Sequence, residues 1–254
     1  MQGDDVEAWQ RFLAEEDFNP GVVDGDFGPR TAAATKEFQK RFLLVADGIV
    51  GRQTMAKAME MGFDPLEWSA TQPPNNDPYF PAPPVGLTYL SERRAFELYG
   101  QFEWVAAGTP AEPRAIRIKG DWMARNLISI DLPQLGRIGR PVRNTTITVH
   151  RLAAPKLQAL WAEWEREGLL PLVKTWDGMF NPRRIGGSNT VSNHAFGVAF
   201  DINAGSNPWG GNIPLVGQAG SVRLLVPLAN KHGFFWGGHY KGKKDGMHFE
   251  LSRP

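Results

Sequence analysis

Two histidines and two aspartates in the C-terminal half have the types and spacing for metal-assisted hydrolysis. Ser192-Asn193-His194 is followed by Asp201, seven positions after the histidine, and Asp245-Gly246-Met247-His248 completes the set near the end of the chain. Two imidazoles and one carboxylate suit a catalytic Zn²⁺, which takes three protein ligands and keeps one position for water. His194, Asp201 and His248 are the candidate ligands. Asp245, three positions before His248, stands where a general base is needed. Zinc lowers the pKa of such a water from about 15.7 toward ~7. Asp245 would take the proton and later hand it to the leaving amine. An oxyanion formed in that reaction calls for positive charge. Asn181-Pro182-Arg183-Arg184 is the nearest upstream source, and Arg183 is the candidate.

The elements that carry these residues are constrained by the spacing itself. Residues seven apart point to opposite faces of a continuous strand. His194 and Asp201 can therefore share a metal only if the chain bends between them, and Gly197 can supply the bend. This places His194 in a loop or strand end, Asp201 on a buried strand, and His248 on its neighbour. Of the other histidines, His150 ends an apolar strand and His232 falls near a helix C-terminus, so both are expected to be structural. His239 follows Trp236-Gly237-Gly238 and could line the cleft or substitute for a ligand.

Composition narrows the classes. At 254 residues and 42% hydrophobic, with nine Trp and fifteen Phe, the chain can bury two cores. The formal net charge of +1 gives no bias toward nucleic acid. Residues 1–62 hold 11 acidic and 7 basic side chains, so the mild positive excess lies in the rest. With no cysteine, any metal must be held by histidines and carboxylates. No signal peptide and no apolar run approaching ~18 residues is visible, so membrane insertion is not expected. Localisation stays open: action on a wall would mean periplasm or exterior, reached through export or release by a holin.

Val6, Trp9, Phe12 and Leu13 fall at helical spacing. Asp24-Gly25-Asp26-Phe27-Gly28-Pro29-Arg30-Thr31 is then echoed 23 residues later by Asp47-Gly48-Ile49-Val50-Gly51-Arg52-Gln53-Thr54. Each copy reads as a turn running into a helix, with Pro29 suited to the first helical position. A three-helix bundle over 1–62 follows. Prolines crowd residues 63–85, predicting an extended spacer. Residues 86–254 mix elements irregularly, which predicts an α+β domain around a mostly antiparallel sheet. Expected helices begin after Ser91, cover Leu157–Trp164 up to Gly168, and cover Leu224–Ala229. Expected strands are Ala115–Lys119, Asn126–Asp131, Thr145–His150, Leu172–Trp176, Phe196–Asn203 and Met247–Leu251.

Two resemblances rest on these motifs. The doubled Asp-Gly turn-helix, with Phe38-Gln39, resembles the peptidoglycan-binding domain attached to many cell-wall hydrolases, over about residues 4–60. Ser192-x-His194, Asp201-Ile202-Asn203 and Asp245-x-x-His248-Phe249-Glu250, with Gly233-Phe234-Phe235-Trp236-Gly237-Gly238 ahead of the last ligand, resemble the zinc D-Ala-D-Ala carboxypeptidase and L-alanyl-D-glutamate endopeptidase family. That family includes vancomycin-resistance D,D-peptidases and several phage endolysins. The resemblance implies zinc on His194, Asp201 and His248, Asp245 as base, Arg183 on the substrate carbonyl, and Ser192 and Glu250 orienting the imidazoles. Asp rather than Glu before His248 is closer to the endopeptidase branch. Residues 98–145 have no assignable counterpart.

The implied protein is a monomeric peptidoglycan hydrolase that binds stem peptide, and glycan through its first module. It would cut between L-Ala and D-Glu. The alternatives are a D-alanyl-D-alanine carboxypeptidase using the same site, and a wall-binding protein whose zinc site is inert.

Overall fold

The computed structural model describes residues 3–61, 63, 80–186 and 188–254. The predicted spacer at 63–85 falls largely outside them. The chain divides into two compact units. The first comprises Met1–Phe80 with Glu167–Leu169 and Leu215–Ala219, and the second Pro81–Arg166, Leu170–Pro214 and Gly220–Pro254.

The first unit contains α1 (Asp4–Glu15), α2 (Pro29–Arg41) and α3 (Arg52–Glu60), with Pro29 at the start of α2. Val6, Trp9, Phe12 and Leu13 are buried, as the helical spacing predicts, against Ala34 and Phe38. The repeat has a physical cause that the sequence reading missed. Gln10 is buried, accepts from the Asp24 and Gly25 amides, and donates to Asp24, the Asp26 carbonyl and Thr31. Gln39 does the same in the second copy, accepting from Gly48 N and donating to Asp47, the Ile49 carbonyl and Thr54. One buried amide thus satisfies a whole turn, and a buried polar group left unpaired costs about 1–3 kcal/mol.

The second unit is α+β. A four-stranded antiparallel sheet is ordered β5-β6-β8-β7, from β5 (Trp176–Gly178), β6 (Ala199–Ile202), β7 (Phe234–Trp236) and β8 (His248–Leu251). Two hairpin-like pairs stand apart from it: β1 (Trp104–Ala106) with β2 (Ile116–Ile118), and β3 (Leu127–Asp131) with β4 (Thr146–His150). The helices are α4 (Glu92–Tyr99), α5 (Trp122–Asn126), α6 (Ala154–Arg166) and α7 (Val226–Lys231). Ser91 caps α4 by accepting from Arg94 N, as expected.

Period-two alternation splits the central strands. Phe200 and Phe249 face each other across β6 and β8 and stack at 5.2 Å. Trp161 and Trp164 of α6 pack onto them. Removing a Phe from such a cluster typically costs about 3–5 kcal/mol. Asp201, His248 and Glu250 occupy the opposite face of the same strands.

Two expectations are corrected. The strand expected over Leu172–Trp176 starts only at Trp176, because the backbone bonds before it go elsewhere. Asn203, in the left-handed region at φ 55°, accepts from Lys174 and Thr175 amides and donates to the Leu172 carbonyl. Phe196–Asn203 is not one strand either: residues Asn193–Phe196 form a 3-10 turn, and only Ala199–Ile202 is extended.

His232 caps the end of α7 and meets Glu163 of α6, where Lys231 and Arg166 also bind. These bonds, Lys231 foremost and then His232, hold the buried Glu163 carboxyl at about 2 against the opposing effect of burial. A lowered folded-state value adds stability above the ordinary 4.5 that is lost as pH falls toward about 2. Glu163→Gln should flatten the pH dependence of the denaturation midpoint across that window. An unchanged acid limb would show that Glu163 does not govern it.

Candidate active site

The 3-10 turn that carries His194 is capped by Ser192, whose hydroxyl accepts from His194 N. It ends at Gly197, with φ 67° and ψ 33°. A Cβ there would lie 2.9 Å from His150 N, so both the conformation and the close approach require glycine. The bend turns the chain into β6 and brings Asp201 back under His194. Asp201 and His248 are cross-strand partners. His194 Nε2 lies 3.2 Å from Asp201 Oδ2 and 3.2 Å from His248 Nδ1, and His248 Nδ1 lies 2.9 Å from Asp201 Oδ1.

The remaining ring nitrogens are held from outside. His194 Nδ1 meets the Met179 carbonyl at 2.8 Å, and His248 Nε2 meets Glu250 Oε2 at 3.2 Å. Glu250 is fixed in turn by Leu90 N on Oε1 and by Asn193 Nδ2 on Oε2. Ligating imidazoles are commonly oriented by such outer partners. Ser192 acts through the backbone amide of His194, not on a ring. Asn193, the Met179 carbonyl and Tyr240, which bonds Glu250 and whose ring lies 6.4 Å from that of His248, were not singled out from the sequence. Asn193 lies inside the ligand motif, which is a usable signal, whereas a backbone carbonyl leaves none.

The donor set fits a zinc ion. The three ligand atoms lie within 4.8 Å of one another, on three buried residues. Burial raises the Asp201 carboxyl, but the charge of His194 and hydrogen bonds from both histidines more than reverse this, holding it well below the carboxylate range. Burial also opposes charge on His248. The Asp201 and Glu250 carboxylates nevertheless push that imidazole well above its usual value. The two anions that favour a proton there favour a metal cation equally.

Asp245 lies beside this triad. Its amide donates to Gly237 O, its carbonyl accepts from His248 N, and Gly237 has no room for a Cβ, which would fall 2.9 Å from that of Asp245. Its Oδ1 is buried without a hydrogen-bond partner among the described residues. Burial raises its carboxyl, Asp201 adds to the effect, and His248, His194 and Arg183 oppose it. An open acceptor with a raised pKa suits a proton shuttle.

Arg183 reaches the triad from the other side, with Nη2 3.8 Å from Asp201 Oδ2. Its backbone carbonyl accepts from Ser192 N, and it bridges to Ala115. Ile116 N also donates to Pro182 O. This gives the unassigned 98–145 segment a place, since its β1–β2 hairpin abuts the strand-like stretch bearing Arg183. His239 is not in the triad. It meets the Pro81 carbonyl at 2.8 Å and packs edge-on to Trp236. His150 is buried and held neutral near 4, chiefly by burial, as a structural histidine.

Comparisons with known proteins agree with this layout. Residues 186–251 match the D-alanyl-D-alanine carboxypeptidase family, and residues 2–58 match the peptidoglycan-binding domain family. The chain thus carries a peptidoglycan-binding domain at its N-terminus and a domain of that peptidase family at its C-terminus. It is also 42% identical over 55 residues to an N-acetylmuramoyl-L-alanine amidase of Mycobacterium tuberculosis. That match spans 22% of this chain and 14% of the relative. Among the described residues, no helix is long and apolar enough to cross a membrane.

His194→Ala and His248→Ala should each lose stoichiometric zinc, read by elemental analysis of purified protein. Retention of one zinc per chain in either variant would overturn the ligand assignment.

Proposed function

We propose that this protein is a zinc-dependent peptidoglycan hydrolase that cuts the stem peptide between L-Ala and D-Glu. The observation that carries the reading is the meeting of His194 Nε2, His248 Nδ1 and the Asp201 carboxylate beside the unpartnered Asp245 Oδ1. His194, Asp201 and His248 would hold Zn²⁺, which when bound acts as a Lewis acid and acidifies water. Asp245 takes a proton from the attacking water as its oxygen bonds to the amide carbon. It then returns that proton to the leaving amine nitrogen as the C–N bond breaks. Arg183 donates to the carbonyl oxygen as it becomes negative. Glu250 holds the His248 imidazole and the Met179 carbonyl that of His194, while Ser192 caps the turn that carries His194.

The N-terminal module would bind wall polymer, and its tether keeps the peptidase near substrate, so even weak binding counts. The reading puts the protein at the wall, in the periplasm or outside the cell, as a monomer. The match to the D-alanyl-D-alanine carboxypeptidase family supports a second reading with the same site, release of terminal D-Ala.

Mass spectrometry of digested peptidoglycan separates the two. The endopeptidase leaves new free amines on Glu, and the carboxypeptidase leaves free D-Ala. Asp245→Ala should keep its zinc while turnover falls by about 10²–10⁴-fold. Full activity in that variant, or no product from zinc-loaded wild type, would remove the catalytic role of Asp245.

A further inference from the structure

Beside the site lies a cluster that the mechanism does not use. Trp209, in Ser206-Asn207-Pro208-Trp209-Gly210-Gly211, is 53% exposed. The Lys243 ammonium sits over the indole, 4.6 Å from the ring centroid. The lysine stem runs past Gly210, where a Cβ would lie 3.5 Å from Lys243 Cδ. The Lys243 stem thus packs along the loop that bears Trp209.

The cluster is tied to the segment that carries Asp245. Gly210 N donates to the Lys244 carbonyl at 2.7 Å. Gly246 packs so closely on Asn207 and Ile213 that a Cβ would fall 2.8 Å from Asn207 Oδ1. The loop bearing Trp209 and the segment Lys243–Gly246, which includes Asp245, are therefore cross-linked. Lys241, Lys243 and Lys244 make no salt bridge with another described residue, and Lys244 Nζ caps the Tyr240 carbonyl.

We propose that Lys243, steadied on Trp209, is a subsite for a free carboxylate of the stem peptide next to the cleaved bond. This rests on the hydrolase reading above and deepens it. A carboxylate is the complementary charge, and the indole offers apolar area for the side chain that bears it. A glutamyl residue linked through its side chain keeps one free carboxylate, and the peptide C-terminus offers another.

The test compares kcat/KM for one soluble stem peptide in three forms: free acid, amidated at the glutamyl α-carboxylate, and amidated at the C-terminus. Zinc-loaded wild type should favour the free acid over one amidated form by about fivefold, the scale of an exposed ion pair. The amide that loses rate identifies the carboxylate. Lys243→Gln should bring that ratio to near one, Lys243→Arg should restore part of it, and Lys119→Gln, at an exposed position just past β2, should leave it at the wild-type value. Raised salt should compress the wild-type ratio. Equal rates on all three forms, or an undiminished ratio in Lys243→Gln, would overturn the subsite while leaving the hydrolase intact. No cleavage of any form by the wild type would overturn both.

Discussion

Two buried carboxylates on one face of a four-stranded sheet set the terms for this site. Asp201 and Glu250 project from neighbouring strands into a region where water cannot screen them. A buried charge without compensation costs several kcal/mol, so positive charge must be supplied nearby. His248 lies between the two carboxylates, bonded to one through each ring nitrogen, and His194 closes on Asp201 from the turn above. A divalent cation at the three inner ligand atoms answers the same demand. The electrostatics that make the site costly without a cation are therefore the electrostatics that select one.

The rest of the second unit can be understood as holding that arrangement still. The aromatic layer of Phe200, Phe249, Trp161 and Trp164 fixes the strand register from the far side of the sheet. A slip of one residue would expose Asp201 to that layer and turn Phe200 toward the site. Gly197 fixes how far His194 folds back. Asn193 and Leu90 fix Glu250, which fixes His248. The β1–β2 hairpin, far from the ligand motif in sequence, backs the stretch that carries Arg183.

The convergence of the site was legible in the sequence because it follows from local rules. The odd spacing of His194 and Asp201 required a bend, and Gly197 was the residue able to make it. The final strand, expected over Met247–Leu251, set His248 beside the strand bearing Asp201, and the two residues are cross-strand partners. What could not be read were bonds between distant segments. Leu172–Trp176 has the composition of a strand, yet Asn203 takes up its amides from 28 and 29 positions away. The doubled Asp-Gly turns were visible and Gln39 was marked within the motif, but nothing in the sequence showed that Gln10 and Gln39 lock the turns from inside. Nor does sequence reveal which nitrogen of each imidazole faces inward, since that depends on the Met179 carbonyl and on Glu250.

The inward-facing nitrogens, Nε2 of His194 and Nδ1 of His248, are the most specific geometric feature of the proposed zinc site. A crystal structure of the zinc-loaded protein, with anomalous scattering at the zinc edge, tests it directly. One ion per chain should be bonded to Nε2 of His194, Nδ1 of His248 and a carboxylate oxygen of Asp201, with Asp245 beside it and outside the ligand set. Zinc held instead by His239, or the absence of an anomalous peak at the triad under saturating metal, would contradict the account.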